Sequence, residues 1–133
     1  MRVLLIQPPL YDPWSTKVFP PLSLAYLAGQ LLTIPGVEVR IHDGLLDQIQ
    51  MGQEGDEPKE HLLDVIREYQ PRLIGLSNAF TSMSEYVAEV SFWIRGVTDA
   101  PIIMGGTHAS CCPEQTLQES AADLVAIGEG EFT

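Results

Sequence analysis

Asp123-Leu124-Val125-Ala126-Ile127-Gly128-Glu129-Gly130-Glu131 decides the reading of this chain. The apolar run 123–127 has the character of a buried parallel strand. It enters a glycine-rich turn of the kind that leads into a helix. The sequence ends at Thr133, ahead of any such helix. The expectation is therefore a piece of a longer protein, with a binding surface present and the chemistry carried elsewhere.

Working back toward the N-terminus, four more apolar segments share that character, at residues 2–6, 37–42, 73–77 and 102–105. Several are apolar at consecutive positions, as strands covered on both faces are. Helical spacing lies between them. Residues 22–32 place Leu22, Ala25, Tyr26, Ala28, Gly29 and Leu32 at helical intervals, with Pro20-Pro21 at the start and Ile34-Pro35-Gly36 at the stop. Residues 58–69 open on Pro58 and carry a stripe of Leu62, Leu63, Val65, Ile66 and Tyr69. Residues 82–95 carry Tyr86, Val87, Val90, Trp93 and Ile94, and a shorter helix is expected over 113–120. The polar stretch 48–60, with Gly52 and Gly55, reads as an exposed loop. Strands alternating with helices predict an α/β fold: a doubly wound, five-stranded parallel sheet in three α/β/α layers. Ligands of such sheets bind at the carboxyl ends of the strands, where the strand order reverses.

The chain has 133 residues, enough for one domain with a real core, and 45% of them are hydrophobic, which excludes a disordered chain. Seven Lys and Arg against eighteen Asp and Glu give a net charge of -11. A nucleic-acid binder needs a basic footprint, and an anionic membrane would repel this surface, so neither is an expected partner. No run reaches the roughly 18 apolar residues of a membrane span, and Val3-Leu4-Leu5-Ile6 is too short for a signal-peptide core. A cytoplasmic location is expected. Cys111 and Cys112 are adjacent, a spacing that strains a disulfide, so free and partly buried thiols are expected.

The strand ends hold the candidate site. Gln7-Pro8-Pro9-Leu10-Tyr11-Asp12-Pro13-Trp14 follows the first strand. Three prolines remove three N–H donors, which makes a poor phosphate cradle and a stiff, partly apolar wall. Flavin binding is correspondingly disfavoured. Ser77-Asn78-Ala79-Phe80-Thr81-Ser82 follows the third strand and offers hydroxyls and an amide for neutral ligand groups, with Thr81 or Ser82 also able to cap the next helix. Gly105-Gly106-Thr107-His108 follows the fourth, where glycines permit close approach of a flat ligand. His108 can donate a hydrogen bond, ligate a metal or cap the turn, the last being the commoner role. His42 reads as structural and His61 as a solvated surface residue. Glu131 suits a helix start, and a general-base role for Glu129 or Glu131 lacks a paired group. No nucleophile set and no zinc spacing stands out, so neither catalytic nor metal-binding residues are expected, and the chain reads as a binding module.

Taken in order, Val3 to Pro9, Pro20-Pro21-Leu22-Ser23-Leu24-Ala25-Tyr26-Leu27-Ala28, Ile74-Gly75-Leu76-Ser77, Gly105-Gly106-Thr107-His108 and Ile127-Gly128-Glu129-Gly130-Glu131 resemble the N-terminal cobalamin-binding domain of B12-dependent radical SAM enzymes. The resemblance implies a flavodoxin-like fold with strand order 2-1-3-4-5 and cobalamin across the strand ends. Its nucleotide tail would enter a slot lined by Ser77, Gly105 and Gly106. Gln7, Pro8, Pro9, Asn78, Thr81, Thr107, His108, Gly128, Glu129 and Gly130 would lie against the corrin or its amides.

The D-x-H-x-x-G loop of methionine-synthase-type domains, whose His binds cobalt, is replaced here by Gln7-Pro8-Pro9-Leu10-Tyr11. The resemblance therefore implies cobalt without a protein His from that loop. It also implies a partner in the same polypeptide: a C-terminal radical SAM domain holding a [4Fe-4S] cluster and S-adenosylmethionine, with methyl transfer or cyclisation as its reaction. Cys111-Cys112 lacks the C-x3-C-x2-C spacing of that cluster. The competing expectation is a cofactor-free, flavodoxin-like interaction domain that forms a homodimer through exposed apolar surface.

Overall fold

The computed structural model describes residues 1–9, 20–51 and 56–130. The expectations for residues 10–14, for Gly52 and Gly55, and for Glu131 fall outside them. Five strands, β1 (Arg2–Gln7), β2 (Glu38–Asp43), β3 (Leu73–Ser77), β4 (Ile102–Gly105) and β5 (Leu124–Val125), form one sheet. Every pairing is parallel, and the order is β2-β1-β3-β4-β5. With the helices between them this is the flavodoxin-like α/β fold. The helices are α1 (Leu22–Leu31), α2 (Gly44–Met51), α3 (Glu57–Tyr69), α4 (Ser84–Arg95), α5 (Thr107–Cys111) and α6 (Pro113–Glu119).

Alternation along each strand divides the core in two. Leu4, Ile6, Ile74, Leu76, Ile102 and Met104 meet Leu62, Val65 and Ile66 of α3 and Val87, Val90 and Ile94 of α4. Val3 and Leu5 meet Leu24 and Ala28 of α1 on the opposite face. Each fully buried aliphatic side chain contributes about 1.5–3 kcal/mol of transfer free energy, so the first cluster carries most of the stability. Local chemistry sets the helix ends. In α3, Pro58 stands in the first turn with Glu57 and Glu60, Arg67 in the last, and Gln70 closes the helix in the left-handed conformation.

Four expectations change. The run 123–127 is not a buried strand: β5 spans two residues at the sheet edge, and Leu124 and Ile127 are exposed. An edge strand has one neighbour, and Leu124 remains 55% exposed there. Within the stretch 48–60, residues 48–51 belong to α2 and 57–60 to α3, so these described residues are helical rather than loop. The residues that α2 buries are Gly44, Asp47 and Gln48, so it has no buried apolar stripe to read. Neither Thr81 nor Ser82 caps α4; a 3₁₀ turn, Thr81–Met83, precedes it, and Met83 takes the cap position without a side-chain bond. Residues 107–111, read as part of a turn after the fourth strand, form the short helix α5.

Arg95 and Asp123 close the amino end of β4 and β5 against α4. Asp123 Oδ2 accepts the Ile102 N–H at 2.8 Å and the Arg95 guanidinium at 2.5 Å. These hydrogen bonds hold the Asp123 carboxyl below its ordinary pKa, the backbone bond contributing most.

Candidate functional site

In the observed strand order the direction of winding reverses between β1 and β3, so the crevice for a ligand opens where Gln7, Pro8 and Pro9 stand beside Ser77 and Asn78. Pro8 and Pro9 are buried and Gln7 is half-buried. The start of α2 packs against them. A Cβ on Gly44 would sit 2.7 Å from Pro9 Cδ and 2.9 Å from Gln7 O, so only glycine lets the β2–α2 turn pass there.

The ends of β3 and β4 are locked together. Asn78 N–H donates to Gly105 O at 2.6 Å, and Ala109 N–H donates to Asn78 O at 3.4 Å. Gly106 makes this approach possible. Its φ is +114°, and a Cβ there would lie 2.7 Å from Asn78 O. The Asn78 side chain is buried; its Nδ2 donates to Met104 Sδ at 3.3 Å, while its Oδ1 has no hydrogen-bond partner. His108 lies inside the protein with Nδ1 3.1 Å from Thr81 Oγ1, which ties α5 to the 3₁₀ turn. The cavity beside Asn78, Met104 and His108 is about 10 Å³, room for a single water. The α4 side of the strand ends is therefore filled.

The other face differs. Gly75, Ser77, Ile103 and Gly105 alternate with the buried residues of β3 and β4, so they point to the α1 side, and all four are half-buried. A Cβ on Gly75 would come within 2.7 Å of Leu5 Cδ2, and one on Gly105 within 3.6 Å of Ala126 Cβ. Gly75, Ser77, Gly105 and Ala126 thus form a strip of small residues beyond the edge of α1. The turn after β5 bounds it, because a Cβ on Gly130 would lie 3.8 Å from Leu27 of α1. Gly128, at φ +82°, donates its N–H to Ser110 Oγ at 3.0 Å, and Gly128 and Glu129 are exposed.

The family described as the B12 binding domain matches residues 15–133 of this chain. The chain belongs to the B12-binding domain family. The fit is visible in its own residues: Gly75, Ser77 and Gly105 set small side chains beside Ile103 on the α1 face of the strand ends. Cytidylyl-2-hydroxyethylphosphonate methyltransferase of Streptomyces wedmorensis is 29% identical over 144 aligned positions, covering 99% of this chain and 27% of that protein. Anaerobic magnesium-protoporphyrin IX monomethyl ester cyclase of Cereibacter sphaeroides is 27% identical, covering 98% of this chain and 21% of the relative. Among solved structures, the radical S-adenosylmethionine methyltransferase TsrM from Kitasatospora setae, with cobalamin and a [4Fe-4S] cluster bound, superposes with a TM-score of 0.72 at 25% identity. That match covers 88% of this chain and 20% of TsrM. The chain thus spans about a quarter or less of each of these proteins.

Within this B12-binding domain, Ser77, Asn78, Gly105 and Gly106 are brought together as a unit. Gln7, Pro8 and Pro9 lie across the switch point from Ser77 and Asn78. Thr81 and His108 bond to each other, and Thr107 is exposed at the start of α5. Sequence reading missed Gly75 and Ala126 as members of the strip. Their signal was the two-residue period that links Gly75 to Ser77, but Ala126 joins only through the β4–β5 register. Cys111 is exposed and Cys112 half-buried, both as free thiols. No described helix is long and apolar enough to cross a membrane.

Proposed function

We propose that this domain holds cobalamin for a longer radical SAM enzyme of methyltransferase or cyclase type. The strip of Gly75, Ser77, Gly105 and Ala126 receives the nucleotide tail, and the ends of β1 and β3 face the corrin. The observation that carries this reading is the strip itself, small residues on one face of a parallel sheet at the strand ends of a B12-family domain. The named activities of the two sequence relatives and of TsrM support the enzyme class.

Bound cobalamin supplies a cobalt centre able to carry a methyl group. The chain's own residues place and shield it. Pro8 and Pro9 form a rigid wall with no donors. Ser77 offers a hydroxyl to the neutral amides of the corrin rim, while Asn78, its side chain buried against Met104, holds the ends of β3 and β4 together. Gln7-Pro8-Pro9-Leu10-Tyr11 contains no imidazole, so cobalt receives no His ligand from this loop.

The test is retention of hydroxocobalamin by the 133-residue chain through desalting, read from the visible spectrum. Wild type should retain it stoichiometrically, and Gly105→Val, which projects a branched side chain into the strip, should lose it while keeping its circular dichroism. Failure of a folded wild-type chain to retain any corrinoid at saturating concentration overturns the proposal and leaves the cofactor-free interaction domain. Equal retention by Gly105→Val removes the strip as the site.

A further inference from the structure

Three side chains with no part in the proposed cobalamin surface converge beside the carboxyl end of β2. His42 is the penultimate residue of β2, Asp47 lies in the first turn of α2, and His61 lies in α3. Asp47 Oδ2 stands 3.2 Å from His42 Nε2 and 2.6 Å from His61 Nδ1. One donor atom from each residue falls within 4.8 Å of the others. The two imidazoles are tilted by 53° with centroids 5.6 Å apart.

His61 satisfies Asp47 by a hydrogen bond. His42 does not share in it. Its side chain is 5% exposed, and Nε2 is buried without a hydrogen-bond partner, the 3.2 Å approach being an electrostatic contact that lacks the alignment of a bond. A buried ring nitrogen left this way costs about 1–3 kcal/mol, which calls for a compensating ligand. The neighbouring carboxylate is committed elsewhere. Asp43 Oδ1 accepts the N–H groups of Leu45 and Leu46 at 3.2 and 3.3 Å, capping α2 and fixing Asp47 one turn further on.

We propose that His42 Nε2, Asp47 Oδ2 and His61 Nδ1 bind one divalent transition-metal ion of the zinc class, which ties β2, α2 and α3 together. Two imidazoles and one carboxylate are the donor set of borderline ions such as Zn²⁺, whereas Mg²⁺ and Ca²⁺ require oxygen ligands. Tetrahedral bonds of about 2.0–2.1 Å set ligand atoms about 3.3 Å apart, close to the His42–Asp47 separation. The shorter His61–Asp47 contact is a hydrogen bond that the ion replaces. The His61 side chain is 42% exposed, which gives an ion access and leaves water to complete the coordination. α3 packs on the sheet face opposite the small-residue strip, so this site stands or falls independently of cobalamin.

The experiment uses the chelator-treated, cobalamin-free 133-residue chain and Zn²⁺ itself as the probe. Wild type and the Cys111→Ser/Cys112→Ser variant should each retain one zinc per chain after desalting, by elemental analysis, with a raised melting temperature. His61→Ala, which removes a partly exposed ligand, should keep its circular dichroism and weaken zinc binding by more than about 100-fold, beyond the loss expected of an outer-shell partner. Asp47→Asn should weaken it in the same direction. No retained zinc in wild type overturns the proposal, as does equal weak uptake by wild type and His61→Ala, the signature of an adventitious ion only. Loss of zinc from the double serine variant would move the metal to the thiols and overturn it too.

Discussion

On the α3–α4 face of the sheet, the inward residues from Leu4 and Ile6 through Ile74 and Leu76 to Ile102 and Met104 are at most 2% exposed. On the α1 face, the corresponding residues of β3 and β4 stay half-buried, and Leu124 of β5 is 55% exposed. The same strands supply both faces. On β3 and β4 the small residues Gly75, Ser77 and Gly105 share the α1 face with Leu73 and Ile103, so one side is packed to interior density and the other is only partly covered. A face left partly covered gives up stability that a packed face would have. That sacrifice is expected where a ligand or another segment supplies the missing contacts.

The largest effect should come from the packed face. Ile94→Ala, at a site with no exposure, should lower unfolding free energy by about 3–4 kcal/mol in urea denaturation. A change below about 1 kcal/mol would mean that this face is less filled than its burial indicates. Gly106→Ala comes next. A positive φ and a Cβ 2.7 Å from a backbone oxygen should cost about 2 kcal/mol or more, since the opposing atom is main chain and cannot rotate away. Changing Gly105 and Gly106 together would therefore confuse folding with binding. Gly105→Val separates them: its Cβ has ordinary contact with Ala126, so stability should change by less than about 1 kcal/mol while corrinoid retention is lost.

The smallest effect is electrostatic. The folded-state pKa of Asp123 is lowered, so the unfolded chain takes up its proton first as pH falls. Its contribution is fully present above the ordinary carboxylate value near 3.8 and fades as pH falls from there through the folded value. Asp123→Asn should flatten that part of the stability–pH curve only slightly, because the carboxylate is about half exposed.

Much of the architecture was readable from spacing. The observed β3 and β4 coincide with the apolar runs 73–77 and 102–105, and α1 and α3 start within a residue of their proline signals. The misses share a cause. α2 buries Asp47 and Gln48 rather than aliphatics, so hydrophobic periodicity had nothing to register. β5 has the composition of a central strand but an edge position, and composition does not report how many neighbours a strand has. At the candidate site, Ser77, Asn78, Gly105 and Gly106 were legible as small or polar residues at strand ends. Glycine's special backbone at 106 was foreseeable in kind, but its partner, the Asn78 carbonyl, was not.

The sequence by itself determined the alternation of five strands with helices, the glycine-rich strand ends, and a proline-rich first loop that makes a poor phosphate cradle and carries no His. These are local properties, set by side-chain period and by backbone freedom over a few residues. Only the tertiary structure decided which face of the sheet stays open, and that His42, Asp47 and His61 share a few ångströms. Those facts depend on contacts between segments far apart in the chain, fixed when β2, α2 and α3 pack together, and no spacing along one segment encodes them.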